Sequence, residues 1–584
     1  MWSRRHKPTA RLREYMGTLQ SMNCMKEALN QEDSTFLDGM DNPLCFMSPK
    51  SDTLYFDQAM QAEDREEFKE AMTREVNTHF ERKHWELITI QEVPTYIKLL
   101  DSVWAMRRKR RISTGEIYKY KARLNAHGGQ QVHGIHYWDT YAPVVSWFAI
   151  RMMLTLVLLH KWSTLTMDFV LAYPQADVDS EIYMKLPRGI NFGPNISRLS
   201  HVLRLIKNIY GLKQAGRVWN KHLHKGLIKL KFQQSSYDAC VYYRGNVVMG
   251  VYIDDCLIIA PSDAEVLQVY TDLQAEFEVT NEGPIDEYLG VKVERRENQT
   301  MKLSQPLLIQ QILEEMGFNQ RTKGRATPAL SSQVLSRDNE GPQKITAWDY
   351  RSLLGKLNYL EKSTRPDIAY AVHQCARFAS NPKESHVLAM LRIGRYLHAT
   401  KERGLIYSPR AQSFDVWCDA DFSGNWVSGS SHTDSSTAKS RTGYIITFAN
   451  CPIAWTSKLQ TEIALSTTEA EFIALSEGLR STIPLIGLLT EFRQKGVPML
   501  LCEPKIHCRV FEDNNGAIEL AKSQKYHPRT KHINIKYWHF MDYVARYNIE
   551  VLPIDTKDQL ADIFTKPLPQ EAFERLRDKV QGID

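Results

Sequence analysis

Two adjacent carboxylates wedged between apolar β-formers are the feature of this chain most suggestive of chemistry. Val247 to Val251 lead into Tyr252-Ile253-Asp254-Asp255, and Leu257 to Ile259 lead out. Burying that much Val and Ile around two acids is costly unless the acids have a partner. A hard divalent cation is such a partner, because Mg²⁺ prefers carboxylate oxygens and keeps positions open for phosphates. A third carboxylate is expected from elsewhere, and Asp168 is the candidate. It follows the alternating Leu165-Thr166-Met167 and would end a strand. Two ions held by Asp168, Asp254 and Asp255 could activate a hydroxyl nucleophile and stabilise a leaving pyrophosphate in an in-line displacement. An acidic β-turn would explain the pair alone, since Asp-Asp is common in turns; Asp168 and its flanks weigh against that.

Four further acids punctuate the last third: Asp419, Glu469, Asp513 and Asp562, spaced 50, 44 and 49 residues apart. Acids placed in turn on a strand, a helix, a strand end and a closing helix are how a ribonuclease H fold gathers two Mg²⁺ around an RNA phosphate. Spacing alone is a weak signal. On a strand Asp421 shares a face with Asp419, so it could assist. Glu471 lies about 200° round the helix from Glu469, and it is expected to be a surface charge.

The elements that must position these groups are partly readable. Asp57 to His84 carries apolar residues at helical spacing among many charges, an amphipathic helix or helix pair. Val103 to Arg111 and Ile117 to Leu124 flank Ser113-Thr114-Gly115-Glu116 as a hairpin, its first arm bearing the basic run Arg107 to Arg111. That run reads as a solvated face, an import signal or a nucleic-acid-facing patch. Leu165 to Phe169 and Asn246 to Ala260 read as strands, with a long, mostly helical region between them. Helices are expected at Leu307–Met316, Tyr350–Leu360, Ile368–Ala379 and Ser385–Thr400, and a polar linker at Thr327–Lys344. A second α/β unit begins near residue 410, with strands at Asp415–Cys418 and Gly443–Phe448 and a helix at Thr467–Leu479.

At 584 residues the chain is too long for one small core, and 43% hydrophobic against 24% charged residues is a globular composition. A net charge of +6 permits a polyanionic partner without requiring one. None of the nine cysteines forms a CxxC pair, so neither a zinc knuckle nor a disulfide framework is indicated. No apolar stretch follows the basic N-terminus. The most apolar run, Met152 to Leu159, is far shorter than the ~20 residues of a membrane span and reads as a core helix.

The flanks of the acids carry a resemblance. Thr166 to Tyr173, Glu181 to Pro187, and Tyr210-Gly211-Leu212-Lys213-Gln214-Ala215 with Arg217 and Trp219 are similar to catalytic blocks of copia-type retrotransposon reverse transcriptases. Tyr120 to Leu124, Tyr141 to Val145 and Thr364 to Val372 are similar to further blocks of that family. Cys418 to Asp421, Ala464 to Phe472, Asp513 to Ile518, Arg529 to Ile533 and Leu560 to Leu568 resemble its ribonuclease H blocks. The resemblance runs in order from about residue 57 to 570. Two departures stand out: Ile253 where the family commonly has Val, expected to be mild, and Gly216 where it commonly has Pro, which loosens a turn. A histidine that retroviral ribonucleases H carry after a Val-Pro strand end has no counterpart in Leu552 to Thr556, and His532 is a candidate substrate contact or a structural residue.

The resemblance implies an α+β and α/β multidomain chain: a right-hand polymerase of fingers, palm and thumb followed by a ribonuclease H-like α/β domain. The expected divisions are a weakly ordered leader at 1–55, fingers and palm at 56–300, a mainly helical thumb or connection at 301–410, the ribonuclease H-like domain at 411–570 and a tail at 571–584. It implies RNA- and DNA-directed DNA synthesis with cleavage of RNA in hybrids. Asp168, Asp254 and Asp255 would hold two Mg²⁺, with Mn²⁺ as an alternative, and Asp419, Glu469, Asp513 and Asp562 would hold another two. Tyr173 would abut the nucleotide sugar, Lys121 and Arg123 would reach the triphosphate, and Tyr210 and Gly211 would shape the pocket. Implied partners are RNA template, DNA primer, hybrid and dNTPs, with an integrase or a dimer partner in addition and no membrane. The implied location is intracellular: cytoplasmic, in a virus-like particle, and nuclear. With no protease triad, zinc knuckle or integrase core, the chain is expected to be a fragment of a larger polyprotein or a truncated copy. The competing expectation is a decayed or co-opted product that binds nucleic acid without synthesis.

Overall fold

A computed structural model describes residues 53–583 except 111–115, 333, 344, 411–412, 427–433, 498–506, 523–543 and 545–547. Most of the expected leader, the tip of the basic hairpin and the block containing His532 lie outside the described residues.

The carboxylate pair belongs to a six-stranded antiparallel sheet. Its order runs Val279–Gly283, Ser163–Phe169, Asp255–Ala260, Val247–Tyr252, Val241–Arg244, Gln233–Gln234. Both faces are covered, which is why the central strands read as continuous apolar runs rather than alternating ones. Val248, Leu257 and Ile259 face the helix Trp147–His160, buried at every residue from Ala149 to Val157. Met249, Cys256 and Ile258 face the other way, onto Trp219, Leu223 and Leu227 of the helix Ala215–Lys229 and Val266, Val269 and Leu273 of the helix Asp263–Gln274. The basic hairpin pairs Ser102–Arg110 with Ile117–Ala126 and is backed by the helix Arg65–Glu81 through Phe68, Met72 and Val76.

The region between Phe169 and Asn246 is less helical than its sequence suggested. It contains the strands Tyr183–Lys185 and His201–Leu205, which join Trp85–Thr89 in a three-stranded sheet. Short strands with few alternating positions leave little periodic signal. The expected division at residue 300 falls inside a hairpin, Val291–Arg295 with Met301–Ser304. That hairpin belongs to a four-stranded sheet completed by Leu405–Tyr407, from beyond the helices Tyr350–Ser363, Ala369–Ala376 and Glu384–Ala399.

The last third forms a five-stranded sheet ordered Cys451–Leu459, Arg441–Phe448, Phe414–Asp421, Cys508–Glu512, Ile549–Pro553. The first three strands pair antiparallel, and the last two join in parallel. Across it lies the helix Thr467–Gln494, fifteen residues longer than its sequence expectation and continuing through Pro484. This helix is long and apolar enough to cross a membrane, but its apolar side chains pack on the sheet. The expected tail is also a helix, Gln570–Val580, because Phe573, Leu576 and Val580 share one buried face. The described cysteines, Cys240, Cys256, Cys375, Cys418, Cys451 and Cys508, are buried free thiols.

Candidate active sites

Strand register brings the first three acids together. Asp168 lies directly across from Asp255 in the antiparallel pair, and Asp254 occupies the two-residue turn that joins Tyr252 to Asp255. The turn is held from two sides: the Asp254 carbonyl accepts from Phe169 N at 2.8 Å, and the Ile253 carbonyl accepts from Trp219 Nε1 at 2.9 Å. Ile253 adopts φ 56°, the left-handed region that a β-branched side chain rarely enters. The position expected to be a mild Val-to-Ile exchange is therefore the strained residue that aims the carboxylate pair.

Burial holds each acid above its ordinary pKa, and neighbouring carboxylates add to this at Asp255 and Asp168. Asp255 is pushed up to about 7, by burial first and then by Asp168 and Asp254. Asp168 is raised by burial and by Asp254, and Asp254 by burial. One Asp254 oxygen accepts from the Tyr210 hydroxyl at 3.1 Å, while its buried Oδ1 has no hydrogen-bond partner among the described residues. Crowded, hard oxygen donors with an orphaned lone pair fit a divalent cation, which would relieve both the repulsion and the desolvation.

The other predicted residues gather at the same place. Arg123 stacks over the Tyr210 ring at 3.6 Å and helps hold Asp254 ionised. The Tyr173 ring lies 4.8 Å from that of Tyr210. Lys121 is pulled down to about 8 by burial and by Arg123 and Lys109, and its charge favours ionised Asp168. Gly211 has φ 90°, and a Cβ there would lie 2.1 Å from the Ala126 carbonyl oxygen, so only glycine lets the Tyr210 segment lie against the hairpin strand. Lys109, read from sequence only as part of the basic run, acts on both Asp168 and Asp255 and belongs to this site.

The second cluster differs from its sequence reading in one member. Carboxylate oxygens of Asp419, Glu471 and Asp513 lie within 4.8 Å of one another. Glu471, expected to be a surface charge, is buried, accepts from Ala420 N at 2.7 Å and is pushed up to about 11 by burial and by Asp419, Glu512 and Asp513. Glu469 is instead at the helix start. Its carboxylate reaches back to Leu465 N at 2.8 Å, and its own N–H donates to the Ser466 hydroxyl at 3.1 Å. The signal that separates the two was present: Ser466-Thr467-Thr468-Glu469 is a capping-box pattern, which assigns Glu469 to the cap and leaves Glu471 facing the sheet.

Asp562 completes this cluster within hydrogen-bonding reach of Asp419 and is pushed up to about 7 by burial and by Asp419. The Thr565 hydroxyl donates to Asp419, and Lys566 pairs with Asp562 at 2.7 Å. Asp421 is raised by burial and by Asp419 but is not among the gathered ligands. Glu512, which sequence reading missed, is fully buried beside the cluster, and burial together with Asp513 and Asp419 raises its carboxyl well above the ordinary range. The carboxylate-only donor set again suits a hard divalent cation.

A family model described as reverse transcriptase (RNA-dependent DNA polymerase) matches residues 83–331. The retrovirus-related Pol polyprotein from transposon TNT 1-94 of Nicotiana tabacum is 31% identical over 531 residues, covering 88% of this chain and 38% of the relative. The putative transposon Ty5-1 protein YCL074W of Saccharomyces cerevisiae is 31% identical over 317 residues, covering 53% of this chain and 98% of the relative. A solved foamy viral protease-reverse transcriptase in complex with RNA/DNA hybrid is 12% identical with a TM-score of 0.45, covering 86% of this chain and 55% of that one. The chain spans little more than a third of the length of polyprotein relatives such as the tobacco one.

Proposed function

The chain belongs to the copia-type retrotransposon Pol polyproteins, and on that premise we propose that it synthesises DNA on RNA and DNA templates and cleaves RNA in RNA–DNA hybrids. The observation that carries the first activity is the register that sets Asp168 against Asp255, with Asp254 at the adjoining turn. Asp168, Asp254 and Asp255 would hold two Mg²⁺ ions, or Mn²⁺ in their place, which when bound neutralise charge at the attacking and leaving oxygens. The primer 3′-oxygen attacks the α-phosphorus of a dNTP, and the bond to pyrophosphate breaks.

The side chains divide the remaining work. Lys121 and Lys109 bind the triphosphate as fixed cations, and Arg123 holds the Tyr210 ring, whose hydroxyl orients Asp254. Tyr173 walls the sugar and excludes a 2′-hydroxyl, favouring dNTPs over rNTPs. The second activity rests on Asp419, Glu471, Asp513 and Asp562, which would hold the divalent ions of a hybrid-specific nuclease. RNA template, DNA primer and hybrid are the proposed partners, with an integrase or a second copy in addition, and the proposed location is a cytoplasmic particle and the nucleus.

Extension of oligo(dT) on poly(rA) with Mg²⁺ and dTTP tests the first activity. Activity that is lost in the Asp254→Asn/Asp255→Asn double variant supports it. A folded wild-type chain that binds primer–template but extends nothing would instead support an inactive nucleic-acid-binding product.

A further inference from the structure

The nuclease cluster contains a cation of its own. Lys566 follows Asp562 by four residues across the short helix Asp562–Thr565, and its ammonium lies 2.7 Å from Asp562 Oδ1, with about a third of the side chain exposed. Asp562 is buried and reaches Asp419, whose Oδ2 is already engaged by the Thr565 hydroxyl. The four acids are therefore not equivalent. Asp419, Glu471 and Asp513 present converging oxygens, while the Asp562 arm is held by the protein's own ammonium.

Resting on the reading of this cluster as a metal centre, we propose that Lys566 is a positioning residue that makes divalent-ion loading ordered. The first ion enters on Asp419, Glu471 and Asp513, and a second must compete with the Lys566 ammonium for Asp562. Two like charges cannot share one buried carboxylate without a penalty, so the ammonium, which pairs with Asp562 and also acts on Asp419, weakens the second ion more than the first. When a hybrid's phosphates arrive, they offer the ammonium an alternative partner and release Asp562, which ties full loading to the presence of substrate.

The test is Mn²⁺ titration of the full chain by electron paramagnetic resonance in the Asp254→Asn/Asp255→Asn background, counting the ions lost on adding Asp419→Asn. The expected result is two unequal steps, with Lys566→Met tightening the second by about tenfold or more, the order of effect of deleting one charge from a half-buried pair. Lys566→Arg, which keeps the charge, should retain the unequal steps. Hybrid cleavage by Lys566→Met should reach its maximum at lower Mg²⁺ than in the parent chain with Lys566. A second step unmoved by Lys566→Met would overturn the ordered-loading role alone. Mn²⁺ binding indifferent to Asp419→Asn would overturn the metal-centre reading, and this proposal with it.

Discussion

Glu469 and Glu471 are two residues apart and have opposite jobs. Glu471 is buried against Ala420 N among Asp419 and Asp513, whereas Glu469 closes the first turn of its helix. Glu471→Gln should abolish hybrid cleavage in a gel assay and leave primer extension intact. Glu469→Gln should keep most of the cleavage and lose at most about 1 kcal/mol of stability, since an amide still accepts at the cap. Equal loss of cleavage in both variants would contradict the placement. Crowding of the acids also sets a pH dependence. Asp255 and Asp562 stay protonated up to about 7, while the same groups in the unfolded chain ionise near 4. Between those values the folded state binds more protons, so without metal its stability falls as pH rises through that window. Mg²⁺ binds the ionised form and should raise Tm more at pH 7.5 than at pH 5.5. A metal-free Tm that does not fall over that range would show that the carboxylates are not crowded.

At the scale of elements, legibility followed periodicity. The hairpin carrying Asp254 and Asp255, the strand carrying Asp168 and the amphipathic helices were readable because their apolar positions repeat or run unbroken. The strands Tyr183–Lys185 and Leu405–Tyr407 were not, because three residues carry no period and their partners are remote in sequence. Local strain was equally hidden: nothing in Tyr252-Ile253-Asp254-Asp255 shows that Ile253 takes φ 56°. Gly211 was picked out by resemblance, and its reason is steric. A Cβ there would meet the Ala126 carbonyl oxygen at 2.1 Å, where Ala126 N also donates to the Tyr210 carbonyl at 2.9 Å. Gly211→Ala should cost on the order of 2 kcal/mol or more in chemical denaturation. It should also push Tyr210 off Asp254 and lower primer extension while hybrid cleavage persists. Full extension by the variant would show that the Tyr210 contact is dispensable.

At the scale of the molecule, the two candidate centres share one core rather than a flexible tether. A single apolar cluster runs from Met153 and Tyr252 beneath the first site, through Leu357 and Val372 of the helical middle, to Val416 and Phe472 beneath the second. Arg151 is the polar pin through it. Buried to 4% exposure on the helix Trp147–His160, it donates to the Ile453 carbonyl and the Ser363 carbonyl at 2.9 Å each and to the Lys362 carbonyl, and stacks on Trp455 at 4.1 Å. Those carbonyls belong to the five-stranded sheet of the last third and to the C-terminal end of the helix Tyr350–Ser363, where a cation is favoured by the unpaired backbone acceptors. Glu491 adds a second tie, accepting from Ser236 N at 3.0 Å and from the Tyr243 hydroxyl at 2.9 Å across 255 and 248 residues of sequence. With this much shared burial the wild-type chain should unfold in one calorimetric transition. Arg151→Met keeps the apolar stem but strands three buried carbonyls, a loss of roughly 3–5 kcal/mol. Because the loss falls on the seam between the units, the expected trace is a lower Tm split into two transitions, one of which shifts with Mn²⁺ only when Asp419 is intact. A single transition displaced by less than about 1 °C would mean that the apolar cluster alone joins the two centres and that Arg151 serves only its own helix.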